Sequence, residues 1–285
     1  EGKLLAWAVG GGHQRDVGGM TPGSCPTNAT EIHQEGLRLP PMKLYNQSKP
    51  NKTLFTILKA ASRTPEIVLA DISAYVGACT VAENRFLELV KEHGASTLDR
   101  YLAELLDYTE RLARAEITAM PDGKYYFEDK LDDDGVNLKN EVTIRLTITV
   151  DGDELVYDFD GTDPQVASSM NNPLGSTRSA VVTAVRSMMG GDVPRNGGAW
   201  RPVTLNVPDG SLLNPQFPAP VASRGGTAQR LSDVLLGCQC QIRPERMLAC
   251  SSGVDTLLNI AGTDANGDRF ILTECCWGGW GGRNT

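Results

Sequence analysis

The spacing of apolar residues changes partway along the chain, and this change limits the folds that the sequence can adopt. Before Pro121 the apolar residues recur at helical spacing, as the leucines of residues 98–112 do. After it, the segment VTIRLTITV (142–150) alternates apolar and polar residues, which predicts a strand with one buried face. The dipeptide Asp151-Gly152 then predicts a tight turn into a second strand. Helices followed by antiparallel hairpins predict an α+β fold.

Local boundary signals define the expected elements. The best-marked helix begins after Thr64, which we expect to cap it, has Pro65 in its first turn and ends before Gly94. A helix over about 97–118 follows, and we expect the two to form an antiparallel helical hairpin. The other predicted elements are a buried strand over residues 3–9, helices over 53–61, 180–188 and 227–239, and a hairpin turning at Asn266-Gly267. The Pro- and Gly-rich stretch 190–226 is too long for an ordinary connection.

Domain organisation follows from the same pattern and from the two ends. The chain opens within an apolar run and closes on a glycine-rich segment, so we expect an internal fragment of a longer polypeptide. We treat residues 1–285 as one region truncated at both ends. Its sub-division would place a loop and helical part at 1–120 and a hairpin-rich part at 121–285.

Charge and composition exclude several classes of protein. The net charge of −8 argues against a nucleic-acid partner, which would require a basic face. No apolar run reaches the roughly 18 residues of a membrane span, so we expect no membrane partner. The seven cysteines are an odd number without paired spacing, which favours reduced thiols and a cytoplasmic protein.

The segment VGGGHQRDVGGMTPGS, residues 9–24, is the main candidate for chemistry, and we call it the His13 loop. It places His13 three residues before Asp16, between two groups of glycines that allow tight turns and close contacts. An imidazole and a carboxylate at this spacing suit a metal or catalytic site. They also suit a solvated loop, because no third ligand lies nearby in the sequence.

Other motifs are weaker. The acidic run Asp132–Gly135 fails as a calcium loop because Lys130 would occupy the first ligand position, so we interpret it as a solvated turn. Neither a P-loop nor a G-x-S-x-G element is present. The remaining histidines are His93, at a helix end, and His33, which lies near Glu31 and Glu35 in a loop.

Several motifs together resemble the hydantoinase B/oxoprolinase family. They include HQRDVGGMTPGSCPTNATEIHQEGLRLPPMKLY, TPEIVLADISAYVGACTVAENRFLEL, MPDGKYYFEDKLDDDG, YDFDGTDPQV, RPVTLNVPDGSLLNPQFPAPVASR and the closing GGWGGR. The resemblance runs the full length of the chain and keeps the order of the motifs. Members of this family are considerably longer than this chain.

The resemblance implies a divided site. It makes His13 a ligand of a divalent metal, zinc or manganese, whose further ligands lie outside this chain. Asp16 then becomes a catalytic carboxylate or one that supports the ligand, and Glu35 is taken as a second catalytic carboxylate.

The resemblance also implies a function shared between subunits. A small-molecule cyclic amide would be hydrolysed with ATP, which a nucleotide-binding subunit of the hydantoinase A type would bind. The alternatives are a subunit of an ATP-dependent ketone carboxylase of the acetone or acetophenone type, and a non-catalytic structural fragment. The segment EGLRLPPMKLY resembles the hydantoinase branch of the family, and this resemblance favours the hydrolase over the carboxylase.

Overall fold

A computed structural model describes residues 4–250, 252–253, 255–279 and 281–282. The chain divides into two compact units. The first unit contains residues 1–24, 36–105 and 259–273, and the second contains residues 25–35, 106–258 and 274–285. The predicted sub-division of the chain into residues 1–120 and 121–285 stays a prediction.

The described residues form helices together with sheets in which most strand pairs are antiparallel. This arrangement confirms the predicted α+β class. The helices are α1 (Lys52–Ala61), α2 (Pro65–His93), α3 (Ala95–Thr118), α4 (Leu174–Met188) and α5 (Gly225–Gln239). The strands are β1 (Tyr45–Asn46), β2 (Lys49–Pro50), β3 (Gly123–Leu131), β4 (Val142–Asp151), β5 (Glu154–Asp158), β6 (Val203–Asn206), β7 (Asp255–Thr263) and β8 (Arg269–Trp277). Short 3₁₀ turns cover Pro22–Ser24, Ile32–Glu35, Gly197–Trp200 and Pro244–Arg246.

In the first unit, α1 packs against α2, and local signals set the ends of both helices. The Asn51 side chain caps α1 by accepting a hydrogen bond from the Leu54 N–H at 3.2 Å. α2 ends at Gly94, whose φ of 81° suits glycine. The expected cap from Thr64 is wrong in detail, because its side chain makes no capping hydrogen bond.

The predicted buried strand over residues 3–9 is wrong. Residues 4–10 have no regular structure, and Trp7 and Val9 are largely exposed. No strand in the described part of the chain pairs with this segment. An apolar run becomes a buried strand only when a partner supplies its hydrogen bonds, and no described strand does so for these residues.

The two long helices are confirmed: α2 lies in the first unit, and α3 is divided between the two units after Leu105. Their packing against each other as a hairpin stays a prediction. α2 packs on α1 in the first unit. The buried residues of α3 are Thr109, Ala113 and Ile117, and they contribute to the second unit. The leucine stripe of α3 therefore did not identify its packing partner.

By length and composition, α2 is the one helix in the described part of the chain that could cross a membrane. Its most apolar 18-residue window has a mean hydropathy of 1.3. Helices of soluble proteins pass the same test, so the finding alone is weak evidence for a membrane.

The second unit is built on a four-stranded sheet in the order β3-β4-β5-β6. β4 pairs antiparallel with β3 and with β5, and Asp151 lies opposite Glu154 at the predicted turn. Gly152 has a φ of 59°, as the turn requires. One face of β4 is buried, namely Val142, Ile144, Leu146, Ile148 and Val150. The predicted alternation and hairpin are confirmed.

Helices α4 and α5 pack against each other, and α5 lies on β3 and β4. Buried side chains from all these elements form one core, which includes Leu146, Tyr157, Val181, Met188 and Leu235. β6 pairs parallel with β5, after a connection that contains α4. The long Pro- and Gly-rich stretch thus contains a short strand, which the sequence analysis missed.

Candidate functional site

The carboxylate of Asp16 holds the His13 loop together. Asp16 is fully buried. One of its oxygens, Oδ1, accepts hydrogen bonds from the N–H groups of Gly18 at 3.2 Å and Arg63 at 2.8 Å. The other, Oδ2, accepts from the Gly23 N–H at 3.1 Å and from Arg63 Nη1 at 2.9 Å. A carboxylate has about four acceptor sites, so these donors saturate it.

The guanidinium of Arg63 organises the same loop through backbone carbonyls. Its Nη1 donates to the carbonyls of Gly18 at 3.2 Å and Thr21 at 3.1 Å, and its Nη2 donates to that of Gly19 at 2.6 Å. The Ser24 hydroxyl adds a further tie by accepting from the Val17 N–H and donating to the Gly18 carbonyl, both at 2.8 Å. The loop is therefore a folded element with an ion pair inside it.

The glycines after Asp16 are needed for this path. Gly18, Gly19 and Gly23 have φ values of 90°, 81° and 79°, which other residues rarely adopt. A Cβ on Gly18 would also stand 2.7 Å from the carbonyl oxygen of Ala61. Close approach of backbone to backbone thus explains glycine at this position.

His13 lies at the exposed surface of this ordered loop. Its backbone carbonyl accepts a hydrogen bond from the Tyr75 hydroxyl of α2 at 3.4 Å. His13 is thus an exposed residue on a segment whose backbone is held. Such an arrangement suits a ligand or a proton-carrying group better than a loop without internal contacts would.

Glu35 lies in the second unit and is almost completely buried. Its Oε1 accepts hydrogen bonds from the N–H groups of Val221 and Ala222, both at 2.8 Å. The neighbouring Ile32 N–H donates to the Pro218 carbonyl at 2.8 Å. This carboxylate therefore holds two stretches of backbone together, and His13 and Asp16 belong to the other unit.

The structural contribution of Glu35 can be separated from a catalytic one. We expect Glu35→Ala to lower the free energy of unfolding by about 1–3 kcal/mol, because two N–H groups lose their acceptor. Glu35→Gln keeps an acceptor oxygen and should lose less. The exposed Glu31 in the same turn is the control, and Glu31→Ala should change the stability by under about 0.5 kcal/mol. Urea unfolding measures all three. Equal stability of Glu35→Ala and Glu31→Ala would contradict the prediction.

A complete metal site is not formed by the residues that the structure describes. Among them, no three His, Cys, Asp or Glu side chains lie close enough together to hold a metal ion. Asp16, the carboxylate nearest to His13 in sequence, has its oxygens occupied by the donors described above. His13 is therefore a single candidate ligand, and the described residues by themselves do not complete a metal site.

The acidic turn uses its carboxylates internally. Asp134 accepts hydrogen bonds from the N–H groups of Val136 and Asn137 and from the amide of Asn140, at 2.6–2.8 Å. These hydrogen bonds, led by the one from Asn137, hold the pKa of the Asp134 carboxyl below its ordinary value. The interactions agree with the interpretation of this segment as a turn.

An open cavity of about 1160 Å³ lies in the first unit. Mainly apolar side chains line it, from residues 4–10, from residues 39–44 and from α1 and α2. Tyr75, which contacts the His13 backbone, is also part of this lining. The cavity is wide and open, so its apolar surface suits an extended apolar contact better than a tightly enclosed small ligand.

The sequence analysis missed Arg63 and Tyr75. A buried aspartate requires a charged or hydrogen-bonding partner. The glycine-rich sequence around Asp16 was the signal that this carboxylate could be buried and need such a partner. It could not select Arg63, which lies 47 residues away, among the other cations of the chain.

Comparison with known proteins places this geometry in context. The family described as hydantoinase B/oxoprolinase matches the chain over residues 1–285. The B subunit of a putative D-/L-hydantoinase from Pseudomonas sp. (strain NS671) is 32% identical, with 99% of this chain and 49% of that protein covered. The beta subunit of the caprolactamase of Pseudomonas jessenii is 33% identical, with 95% and 47% covered. The chain thus spans about half the length of these relatives.

Solved structures show the same fold. The crystal structure of ATP-dependent caprolactamase from Pseudomonas jessenii has a TM-score of 0.83 and 31% identity, and covers 92% of this chain and 45% of that one. The nucleotide-free structure of acetone carboxylase has a TM-score of 0.81 at 16% identity, over 92% of this chain and 37% of that one. The second likeness concerns the fold alone.

Proposed function

Since the chain belongs to the hydantoinase B/oxoprolinase family, we propose that it forms part of a subunit that hydrolyses a cyclic amide with the help of ATP. Nucleotide binding falls to a partner subunit of the hydantoinase A type, in keeping with the lack of a P-loop in this sequence. The substrate is a small molecule, and the assembly works in the cytoplasm. The names of the relatives, which are subunits of a hydantoinase and of a caprolactamase, support this reaction class.

The observation that carries the proposal is the construction of the His13 loop. An ion pair between the buried Asp16 and Arg63 orders a glycine-rich segment in which His13 is exposed. Burying a charge is costly unless it is paired, and this pairing gives the loop a defined backbone path next to His13. We therefore assign the functional group to His13.

The proposed roles of the candidate residues combine the family resemblance, which concerns His13, with the side-chain contacts of Asp16 and Glu35. His13 supplies one imidazole to a divalent metal site, zinc or manganese, whose other ligands come from outside this chain. Such an ion would polarise a carbonyl or activate water. Asp16 orders the His13 loop in the first unit, and Glu35 joins two backbone segments in the second unit, so each carboxylate holds structure within its own unit.

The proposal predicts a division of activity between subunits. We expect this chain alone to release no phosphate from ATP, and the assembly with a nucleotide-binding subunit to release it when a hydantoin or lactam is added. Phosphate release and ring-opened product are measured in the same samples. Substantial ATP turnover by the chain alone would contradict the division. Bicarbonate-dependent carboxylation of a ketone, without ring opening, would favour the carboxylase alternative.

A further inference from the structure

Three consecutive glycines precede His13, and their surroundings differ sharply. A Cβ on Gly12 would stand 2.4 Å from the Tyr75 hydroxyl oxygen and 3.0 Å from Cζ of the same ring. A Cβ on Gly10 would stand 3.1 Å from the Cys79 sulfur. A Cβ on Gly11 would have no heavy atom within 4 Å. The segment therefore lies directly on α2 at Gly12 and Gly10, while Gly11 faces open space.

Backbone conformation does not explain these glycines. None of the three has a φ in the left-handed region, unlike Gly18 and Gly19 later in the loop. Alanine could adopt the same backbone at each of the three positions. Gly12 and Gly11 thus differ in the space that a side chain would have, because the Tyr75 ring lies beside Gly12.

Tyr75 also contacts the chain on the C-terminal side of the His13 Cα. Its hydroxyl donates to the His13 carbonyl at 3.4 Å and accepts from Gln14 Nε2 at 3.4 Å. Both distances are near the upper limit for a hydrogen bond, so each contributes little by itself. The lack of space for a side chain at Gly12 is therefore the stronger sign that this backbone lies against the Tyr75 ring.

We propose that Tyr75 is the positioning residue of the His13 loop. Its ring, seated against Gly12, fixes the backbone of residues 12–14 on α2 and so determines where the imidazole lies. A helix supplies a more rigid support than a loop would, and α2 is continuous on both sides of Tyr75. The inference rests on the proposed function in one respect, because it takes His13 as the functional group.

The test compares alanine substitutions at two neighbouring glycines that differ in the space available to the new methyl group. Gly12→Ala forces its methyl group against Tyr75, whereas Gly11→Ala is the matched control. Histidine ring signals in the NMR spectrum of the 285-residue chain report the environment of the imidazole, and only three histidines need assignment. We expect Gly12→Ala to move the His13 signals and to leave those of His33 and His93 unchanged. Gly11→Ala should leave all three unchanged.

A second substitution tests whether Tyr75 is the cause. Tyr75→Phe removes the oxygen atom nearest to the new methyl group, and the Gly12→Ala/Tyr75→Phe double variant should return the His13 signals towards their original positions. In the assembled enzyme, Gly12→Ala should lower kcat by about 10–100-fold, because a displacement near 1 Å can cost 10²-fold. The double variant should recover part of this loss, and Gly11→Ala should stay within about twofold of the unsubstituted enzyme.

The outcomes separate this inference from the proposed function. Identical His13 signals in Gly12→Ala and Gly11→Ala would overturn the positioning role, as would a double variant no closer to the original than Gly12→Ala. Shifted signals with unchanged turnover in Gly12→Ala would support the positioning role and count against His13 as the functional group.

Discussion

Replacement of His13 by alanine is expected to lower the cyclic-amide-dependent turnover of the assembled enzyme by about 10²-fold or more, the range found when a positioned acid, base or ligand is lost. The stability should change by under about 0.5 kcal/mol, because the side chain is exposed and the loop is held by Asp16 and Arg63. The content of divalent metal in the assembly should fall together with the turnover. Steady-state kinetics, elemental analysis and urea unfolding measure the three quantities.

The matched control for this experiment is His93→Ala. His93 is also an exposed histidine of the first unit, at the end of α2, and it lies outside the His13 loop. It should retain normal turnover and metal content. Normal turnover and metal content in His13→Ala would show that His13 is an ordinary loop residue and that the family resemblance does not extend to its role.

Asp16→Asn is expected to act mainly on stability, whereas His13→Ala acts mainly on turnover. The substitution leaves Arg63 facing a neutral group inside the loop and replaces acceptors with an amide nitrogen. Breaking a buried ion pair by removing one partner costs about 3–5 kcal/mol. Because 31% of the Arg63 side chain is exposed, solvent screens part of this loss, and we expect about 3 kcal/mol.

The measurement is the urea dependence of hydrogen exchange in α1 and α2, which reports on the first unit. The control is Glu88→Gln, which removes one partner of the exposed ion pair between Arg85 and Glu88. It should cost under about 1 kcal/mol. An equal loss in both variants, or none in Asp16→Asn, would mean that the buried ion pair does not order the His13 loop. Turnover of any folded Asp16→Asn protein should fall less than that of His13→Ala.

The sequence by itself determined those elements whose signals are local. The alternation of Val142 to Val150 fixed the buried face of β4, because successive residues of a strand point to opposite sides wherever the strand lies. Asp151-Gly152 fixed the turn, since glycine supplies the positive φ that the turn requires. Pro65 and Gly94 marked the ends of α2 for equally local reasons. The His13 loop itself was found from its composition.

The tertiary structure alone decided which partner each element and each charge meets. The sequence predicted a buried strand over residues 3–9, yet no strand of the described chain pairs with residues 4–9. The sequence indicated Asp16 as a catalytic carboxylate or one that supports the ligand, and only the tertiary structure shows that its oxygens accept hydrogen bonds from Arg63 and from three backbone N–H groups. The spacing of apolar residues shows which face of a segment is apolar, but it does not show which distant residue that segment contacts. Asp16 and Arg63 are 47 residues apart in the sequence, and His13 and Tyr75 are 62 residues apart.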